Sequence, residues 1–357
     1  MIAHLCCSVD AGYFLKRLKE EYPNEEIVGY FYDPNIHPYS EFKLRSLDTK
    51  RICEKLGIEY VEGEYDYLTW YQKTKGLENE PEKGSRCSVC FDLSLEEAAR
   101  FAKEKGDNKV TTSLLMSPMK SHEQLEAIGK VVKRKYGVDF INVDFRKKGG
   151  TQAQQQYARE NQMYRQDYCG CIYGIWQQKS HQEIIDELIS PWPFQILPSS
   201  IEEKLEIYEK RIELEDKGKK YKIIKENFLN YRLLSAKVEV KKKVIANYVL
   251  FYSYLDRPQR VRIEFEKNGI GYANRAQVIF VKVSKINEIL NKRYDNVSEI
   301  YKKPITIQEE LEVRKNITET EFNLSPIIVL DEFEEVRYDI DINSKIYSDN
   351  KEILIEF

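Results

Sequence analysis

Seven cysteines stand in the first half of the chain, and six of them come in close pairs: Cys6-Cys7, Cys87 with Cys90, and Cys169 with Cys171. Thiols spaced this way, on a chain with no sign of secretion, point to metal or redox chemistry rather than structural disulfides. Adjacent Cys6 and Cys7 make poor disulfide partners but can reach two neighbouring metal sites. Cys87 and Cys90 form a CxxC at the start of a helix, about one turn apart on one face. The helix N-terminus and Arg86 favour thiolate there. A dithiol redox pair, half a zinc site and half an iron–sulfur site all use this spacing. Cys169 and Cys171 flank Gly170, whose freedom lets the chain bend into a chelating hook if the strand-like i, i+2 arrangement holds. Six thiols exceed the four that one zinc or one cubane cluster requires. The surplus points to a cluster plus a second metal, or a cluster plus a reactive thiol. Asp10, three residues past Cys7, suits a harder metal beside the thiolates, although an N-cap is its blander use. Cys53, alone in an expected helix, is expected to be a buried hydrophobe.

These residues need elements that bring them together. Strands are expected over 1–5, 27–32, 58–61, 110–115 and 140–143, and helices over 11–21, 41–56, 91–105 and 121–136. Such alternation implies a parallel sheet flanked by helices, with ligands gathered at the carboxyl ends of the strands. Cys6, Cys7 and the Asn35 loop follow strands directly and fall at that edge.

The segment 190–200, SPWPFQILPSS, holds three prolines and reads as a boundary. We therefore expect a metal-cluster domain over 1–190, a linker over 191–200 and an α+β or mostly β appendage over 201–357. Asn268-Gly269 is a type I′ hairpin signal. Residues 201–303 carry 24 Lys and Arg against 15 Asp and Glu, whereas 304–357 carry 5 against 14. A basic face for a polyanion is one reading, and a solvated or self-paired surface the other. The 357 residues, 42% hydrophobic and net −3, describe a folded chain that is not a generally basic nucleic-acid binder. No apolar run reaches the length of a membrane span, and the N-terminus lacks the pattern of a signal peptide. A cytoplasmic location follows as the expectation.

Taken together, HLCCSVD, FYDPNIHPYSEFKLR, GLENEPEKGSRCSVCFDLSLEEAA, TTSLLMSPMKSHEQLEAIG, the DFR of Asp144–Arg146 and YRQDYCGCIYG resemble the QueH type of epoxyqueuosine reductase. The resemblance covers about residues 1–178, and the C-terminal part has no counterpart in short members. It implies a Rossmann-like fold similar to PP-loop (HUP-like) proteins, with cysteines where those carry a phosphate loop. An SGGxDS sequence is absent, which disfavours ATP. It also implies reduction of epoxyqueuosine at the tRNA wobble position to queuosine, without cobalamin, through a 4Fe–4S cluster with a second mononuclear metal ion, expected to be iron, beside it. On that basis Cys7, Cys87, Cys90 and one CGC thiol, taken as Cys169, are expected to hold the cluster. Cys6, Asp10 and Cys171 are then expected to hold the second metal.

An epoxide reduced to an alkene needs protons, and His37, Tyr39, Arg165 and Tyr168 are the candidate donors, with Asp10 completing the metal's coordination. Tyr32, Tyr39, Arg45, Arg146, Lys147 and Lys148 are candidate contacts for the anticodon loop. Without a flavin or nicotinamide motif, an outside reductant such as a ferredoxin or flavodoxin is expected. The rival readings are a zinc-binding RNA module without catalysis, a thiol oxidoreductase using the CxxC alone, and a PP-loop sulfurtransferase.

Overall fold

The strand–helix alternation of the first half closes into one parallel sheet. A computed structural model describes residues 1–117, 120–166, 168–178, 195–275 and 277–357. Strands β1 (Ile2–Leu5), β2 (Val28–Phe31), β3 (Glu59–Glu62), β4 (Lys109–Thr112) and β5 (Asp139–Phe140) lie in the order β3-β2-β1-β4-β5, every pair parallel. β1 and β2 are buried along their whole length, as a sheet covered on both faces demands. His4 is the polar exception. Its ring is tied to Thr112 Oγ1 at 2.9 Å and the Tyr32 carbonyl at 3.0 Å.

Helices α1 (Ser8–Glu21), α2 (Tyr39–Lys55), α3 (Tyr67–Thr74), α4 (Ser85–Glu104), α5 (His122–Tyr136), α6 (Gly150–Glu160) and α7 (Ile172–Gln178) complete this part. α1 buries Ala11, Phe14, Leu15 and Leu18, one stripe at helical spacing. Gly12 lets α6 and the chain after it approach, because a Cβ there would meet Tyr157 Cε1 of α6 at 3.0 Å and the more distal Met163 Cε at 2.4 Å. The strand order reverses between β1 and β4, so the crevice at their carboxyl ends is where such folds bind ligands.

The structure departs from expectation at helix starts. α4 begins at Ser85 rather than residue 91, so Cys87 and Cys90 lie in its first turns, as expected of a CxxC that opens a helix. α1 begins at Ser8 rather than Ala11, with Cys7 as its N-cap residue. Both starts are short polar or thiol residues without apolar periodicity, so the pattern signal arrives late. α6 was missed for the same reason: only Gly150, Gln154 and Ala158 are buried along it. The CGC segment is not a strand. Cys171 forms a single bridge with Ile36, and Gly170 sits at φ +103°.

The chain divides into two compact units. One comprises Met1–Gln182, Lys204–Ile223 and Leu354–Phe357, and the other Glu183–Glu203 and Ile224–Ile353. Residues 191–194 of the expected linker lie outside the described residues. α8 (Ile201–Asp216) thus gives most of its length to the first unit.

The α+β character expected after residue 200 is borne out. Strands β6 (Tyr221–Val240), β7 (Lys243–Val244), β8 (Tyr248–Val249), β9 (Gln259–Val261), β10 (Ile263–Lys267), β11 (Ile270–Ala273), β12 (Ile279–Lys282), β13 (Ile327–Leu330) and β14 (Tyr338–Glu356) form two sheets, β10-β11-β12-β13-β8 and β7-β6-β14-β9. The first is antiparallel except where β12 meets β13. α9 (Val283–Leu290), α10 (Val297–Lys302) and α11 (Ile307–Thr318) are the helices here. The β10–β11 hairpin turns on Asn268 and Gly269, at φ +53° and +78°, as a type I′ turn requires. Among the described residues no helix is long and apolar enough to cross a membrane.

Candidate metal centre

The chain leaves β1 at Cys6 and enters α1 at Cys7, so both thiols stand at the switch point of the sheet. The thiol sulfurs lie 3.9 Å apart, and Cys6 Sγ is 3.8 Å from Asp10 Oδ2. One ligand atom from each of the three lies within 4.8 Å of the others. The Cys6 N–H donates to Ser113 Oγ at 3.1 Å, tying the end of β1 to the residue after β4. Gln154 on α6 donates to Asp10 Oδ1 at 2.7 Å. Burial pushes the Asp10 carboxyl up to about 6, against that hydrogen bond and the charge of Lys120.

A cavity of about 440 Å³ opens beside this trio, bordered by Cys6, Asp10, Asp33, Lys120, Tyr168 and Cys169 among others. Cys87, Cys90, Cys169 and Cys171 line a smaller adjoining cavity. Cys90, Cys169 and Lys120 face both. α4 presents Cys87 and Cys90, and the Lys83 N–H donates to Cys87 Sγ at 3.3 Å. Burial raises all three of Cys87, Cys90 and Cys171, the last to about 11.

The CGC hook is held from α2 and from the segment that precedes it. Buried Arg45 donates from Nη1 to the Cys169 carbonyl and from Nη2 to the Tyr168 carbonyl, both at 3.1 Å, while its Nε meets Glu41 at 2.6 Å. The His37 N–H donates to the Gly170 carbonyl at 2.8 Å, and the Tyr168 hydroxyl donates to the His37 carbonyl at 2.6 Å. Gly170 is required twice over: its φ is left-handed, and a Cβ would stand 3.0 Å from Arg45 Nη1.

Two charged groups that the motif reading passed over border the cavity. Asp33 follows β2 and is buried, and its Oδ2 has no hydrogen-bond partner. Burial pushes its carboxyl up to about 8, against the Arg45 charge. Lys120 places Nζ 3.5 Å from Cys169 Sγ and 3.5 Å from Glu82 Oε1, with 9% of its side chain exposed. Burial alone would lower its pKa, but the surrounding thiols and Glu82 raise it. Arg146 of the DFR segment donates to the Ser117 and Lys120 carbonyls at 3.0 and 3.2 Å, fixing where Lys120 leaves the backbone. Position was the available signal: Asp33 and Lys120 each lie a few residues past a strand of the central sheet.

The donor chemistry fits metals. Four thiols around one cavity match the thiolate set of a cubane, and two thiols with a carboxylate suit a single ion.

The QueH model of epoxyqueuosine reductases matches residues 1–177. A curated epoxyqueuosine reductase QueH of Helicobacter pylori is 38% identical over 96% of this chain and 97% of its own length. The chain belongs to the QueH family of epoxyqueuosine reductases. It is an oxidoreductase of queuosine biosynthesis. The QueH of Thermotoga maritima is 32% identical, covering 52% of this chain and 95% of that protein. The short relative thus matches about half of the chain, and the Helicobacter QueH shares nearly all of it, second unit included. A solved U34-tRNA thiolase NcsA from Methanococcus maripaludis, with its [4Fe-4S] cluster, has a TM-score of 0.33 and 16% identity, covering 60% of this chain and 72% of that one. That likeness is too slight to bear on the site.

Of the expected QueH site residues, Asp10, Cys6, Cys90, Cys169 and Tyr168 border the larger cavity, and Cys87 and Cys171 the smaller one. Cys7 stands with Cys6 and Asp10, and Cys171 is not in that trio. His37, Tyr39 and Arg165 border neither cavity. The His37 ring sits among Tyr65, Trp70 and Tyr71. Tyr39 is 54% exposed and stacks on Phe42. Arg165 is exposed and donates to the Gln155 carbonyl. Tyr32 is buried against Tyr30, and Arg45 is spent on the CGC hook.

Proposed function

We propose that this chain reduces epoxyqueuosine in the wobble position of tRNA to queuosine, without cobalamin. In this reading Cys87, Cys90, Cys169 and Cys171 hold a 4Fe–4S cluster, and Cys6, Cys7 and Asp10 hold a second metal, iron. The observation that carries it is the meeting of both thiol groups at one cavity on the switch point of the sheet. The division exchanges Cys7 and Cys171 relative to the sequence expectation. Cys7 shares its strand end with Cys6 and borders neither cavity, whereas Cys171 lies across the smaller cavity from the CxxC.

Converting an epoxide to an alkene takes two electrons and two protons and releases water. When bound, the cluster supplies electrons singly, and a metal with an open position supplies a Lewis acid. The chain's own part is to position and protonate. Gln154 orients Asp10, and Arg45 with Gly170 shapes the CGC hook. Asp33, buried with no hydrogen bond at Oδ2 and with His4 Nε2 3.8 Å from that oxygen, holds a proton at the cavity wall at neutral pH and supplies one of the two protons in this reading. His37, Tyr39 and Arg165 stand away from the cavity.

The substrate base enters from a splayed anticodon loop. In the second unit, exposed Arg293, Lys302 and Lys303 surround a cavity of about 490 Å³ and offer phosphate contacts to the tRNA. Electrons come from an outside reductant of the ferredoxin or flavodoxin type, and the reaction is cytoplasmic.

Anaerobic purification tests the reading. The expected protein is brown, bleaches with dithionite, holds about four irons and four sulfides plus one further metal, and turns over epoxyqueuosine tRNA. Cys171→Ser should lower sulfide, and Cys7→Ser should remove the further metal alone. A colourless, zinc-only protein that resists reconstitution is a binding module, and the proposal falls.

A further inference from the structure

Five thiols, those of Cys6, Cys87, Cys90, Cys169 and Cys171, and the Asp10 carboxyl converge on the two adjoining cavities, all of them buried or half-buried. Once metals replace the thiol protons, this is a concentration of negative charge away from water. Each added electron deepens it. Three cations stand near. Two are committed to the backbone: Arg45 to the carbonyls of Tyr168 and Cys169, and Arg86 to those of Leu77, Glu78 and Glu80. Lys120 is different. Its ammonium meets a sulfur, 3.5 Å from Cys169 Sγ, and its side chain borders both cavities. Arg146 holds the Ser117 and Lys120 carbonyls, which fixes the origin of that side chain. The Glu82 carboxylate at 3.5 Å offsets part of the charge and leaves the N–H toward sulfur in place.

We propose that Lys120 is a positioning residue for electrons: through its charge and its hydrogen bond to Cys169 it sets the reduction potential of the cluster, making the reduced state reachable by the outside donor. A buried positive charge beside a ligand sulfur stabilises the state with one more electron, and hydrogen bonds to sulfur act in the same direction. The ammonium donates no proton in this role. The inference rests on the cluster reading given above.

The test is a redox titration of the anaerobically purified chain, followed by the spectrum of the reduced cluster, in the parent and in Lys120→Met, Lys120→Gln and Lys120→Arg. Iron and sulfide are assayed in each. Both neutral variants should bind the electron at least tenfold less favourably, a midpoint lowered by about 59 mV for a one-electron couple. Lys120→Arg should stay near the parent. A cluster present in every variant with an unmoved midpoint overturns the inference and leaves the cluster intact. Loss of the cluster from both neutral variants, with Lys120→Arg retaining it, assigns Lys120 to holding the cluster and also overturns the tuning role. A parent without a cluster refutes the underlying reading instead.

Discussion

Asp48 is wholly buried in α2 and gathers four donors from four parts of the first unit. Ser8 Oγ lies at 2.5 Å, the Tyr164 N–H at 2.7 Å, Arg51 Nη1 at 3.2 Å and Arg211 Nη2 at 2.5 Å. Ser8 is the residue after Cys7, so this carboxylate anchors the turn that carries the first thiol pair. Burial alone would raise the Asp48 carboxyl, but Arg211 and Arg51 hold it below its ordinary range. Arg211, also fully buried, lies outside the region matched by the family model.

Replacing Arg211 by Met leaves a buried carboxylate with its shortest charge partner gone. Breaking such a pair costs about 3–5 kcal/mol. Arg51 and two neutral donors remain, which places the loss near the lower end, about 3 kcal/mol. For a unit of this size that is a fall in Tm of roughly 6–12 °C. Thermal unfolding by circular dichroism measures it. The pH dependence carries its own sign. A depressed carboxyl contributes stability above its unfolded pKa, about 3.9, and loses it as pH falls through the folded value. The gap between parent and variant should therefore be full at neutral pH and narrow toward pH 4, where Asp48 in the variant takes a proton. Asp48→Leu with Arg211→Met should recover part of the loss, since apolar replacement of both partners is often tolerated. A Tm shift below about 2 °C, or a gap that does not change with pH, would refute the reasoning.

Three further expectations concern the same scaffold and its substrate. A chain ended at Pro198 also loses Glu215, which Arg51 meets at 2.8 Å, and should unfold below Arg211→Met in the same melt. Gly170→Ala forces a left-handed backbone and a close approach to Arg45, so metal content should fall by more than half while α1 and the sheet still fold, read by iron assay and circular dichroism. Replacing Arg293, Lys302 and Lys303 together by Ala should weaken tRNA binding and reduce the salt slope of log K by roughly 2–3, the share of three phosphate contacts; an unchanged slope in a filter-binding series refutes the phosphate role.

Much of the site was legible because chemistry and topology agree on where it lies. Paired thiols at the ends of expected strands fall at the carboxyl edge of a parallel sheet, and Cys6 and Cys7 do. The α/β class followed from strand–helix alternation. The grouping of thiols was not legible. Whether Cys7 or Cys171 stands beside Cys6 depends on φ at Gly170 and on the Arg45 hydrogen bonds, which no periodicity reports. Residue type says nothing of placement: His37 and Tyr39 are the usual proton carriers by identity, and both rings pack against aromatics outside the cavity lining. Asp33 is an ordinary acid by sequence, and only its burial, which pushes its carboxyl up against the Arg45 charge, sets it apart. The prolines over 190–200 suggest a boundary, but nothing in the sequence reports that Lys204–Ile223 belongs with the first unit, because that rests on tertiary ion pairs such as Arg211 with Asp48 and Glu215 with Arg51.

The placement of the thiols follows from fields that the backbone already makes. α1 opens at Cys7, with the Ala11 N–H donating to the Cys7 carbonyl at 2.9 Å, and Asp10 lies in its first turn. α4 opens beside Cys87, with the Lys83 N–H reaching its sulfur. Helix N-termini carry partial positive charge and exposed N–H groups, which is why phosphates settle there. A thiolate or a carboxylate holding a metal is also an anion, and the same ends stabilise it. What the helix ends do not supply is a full positive charge set directly against the Cys169 sulfur. Lys120, carried past β4 and fixed by Arg146, occupies that position.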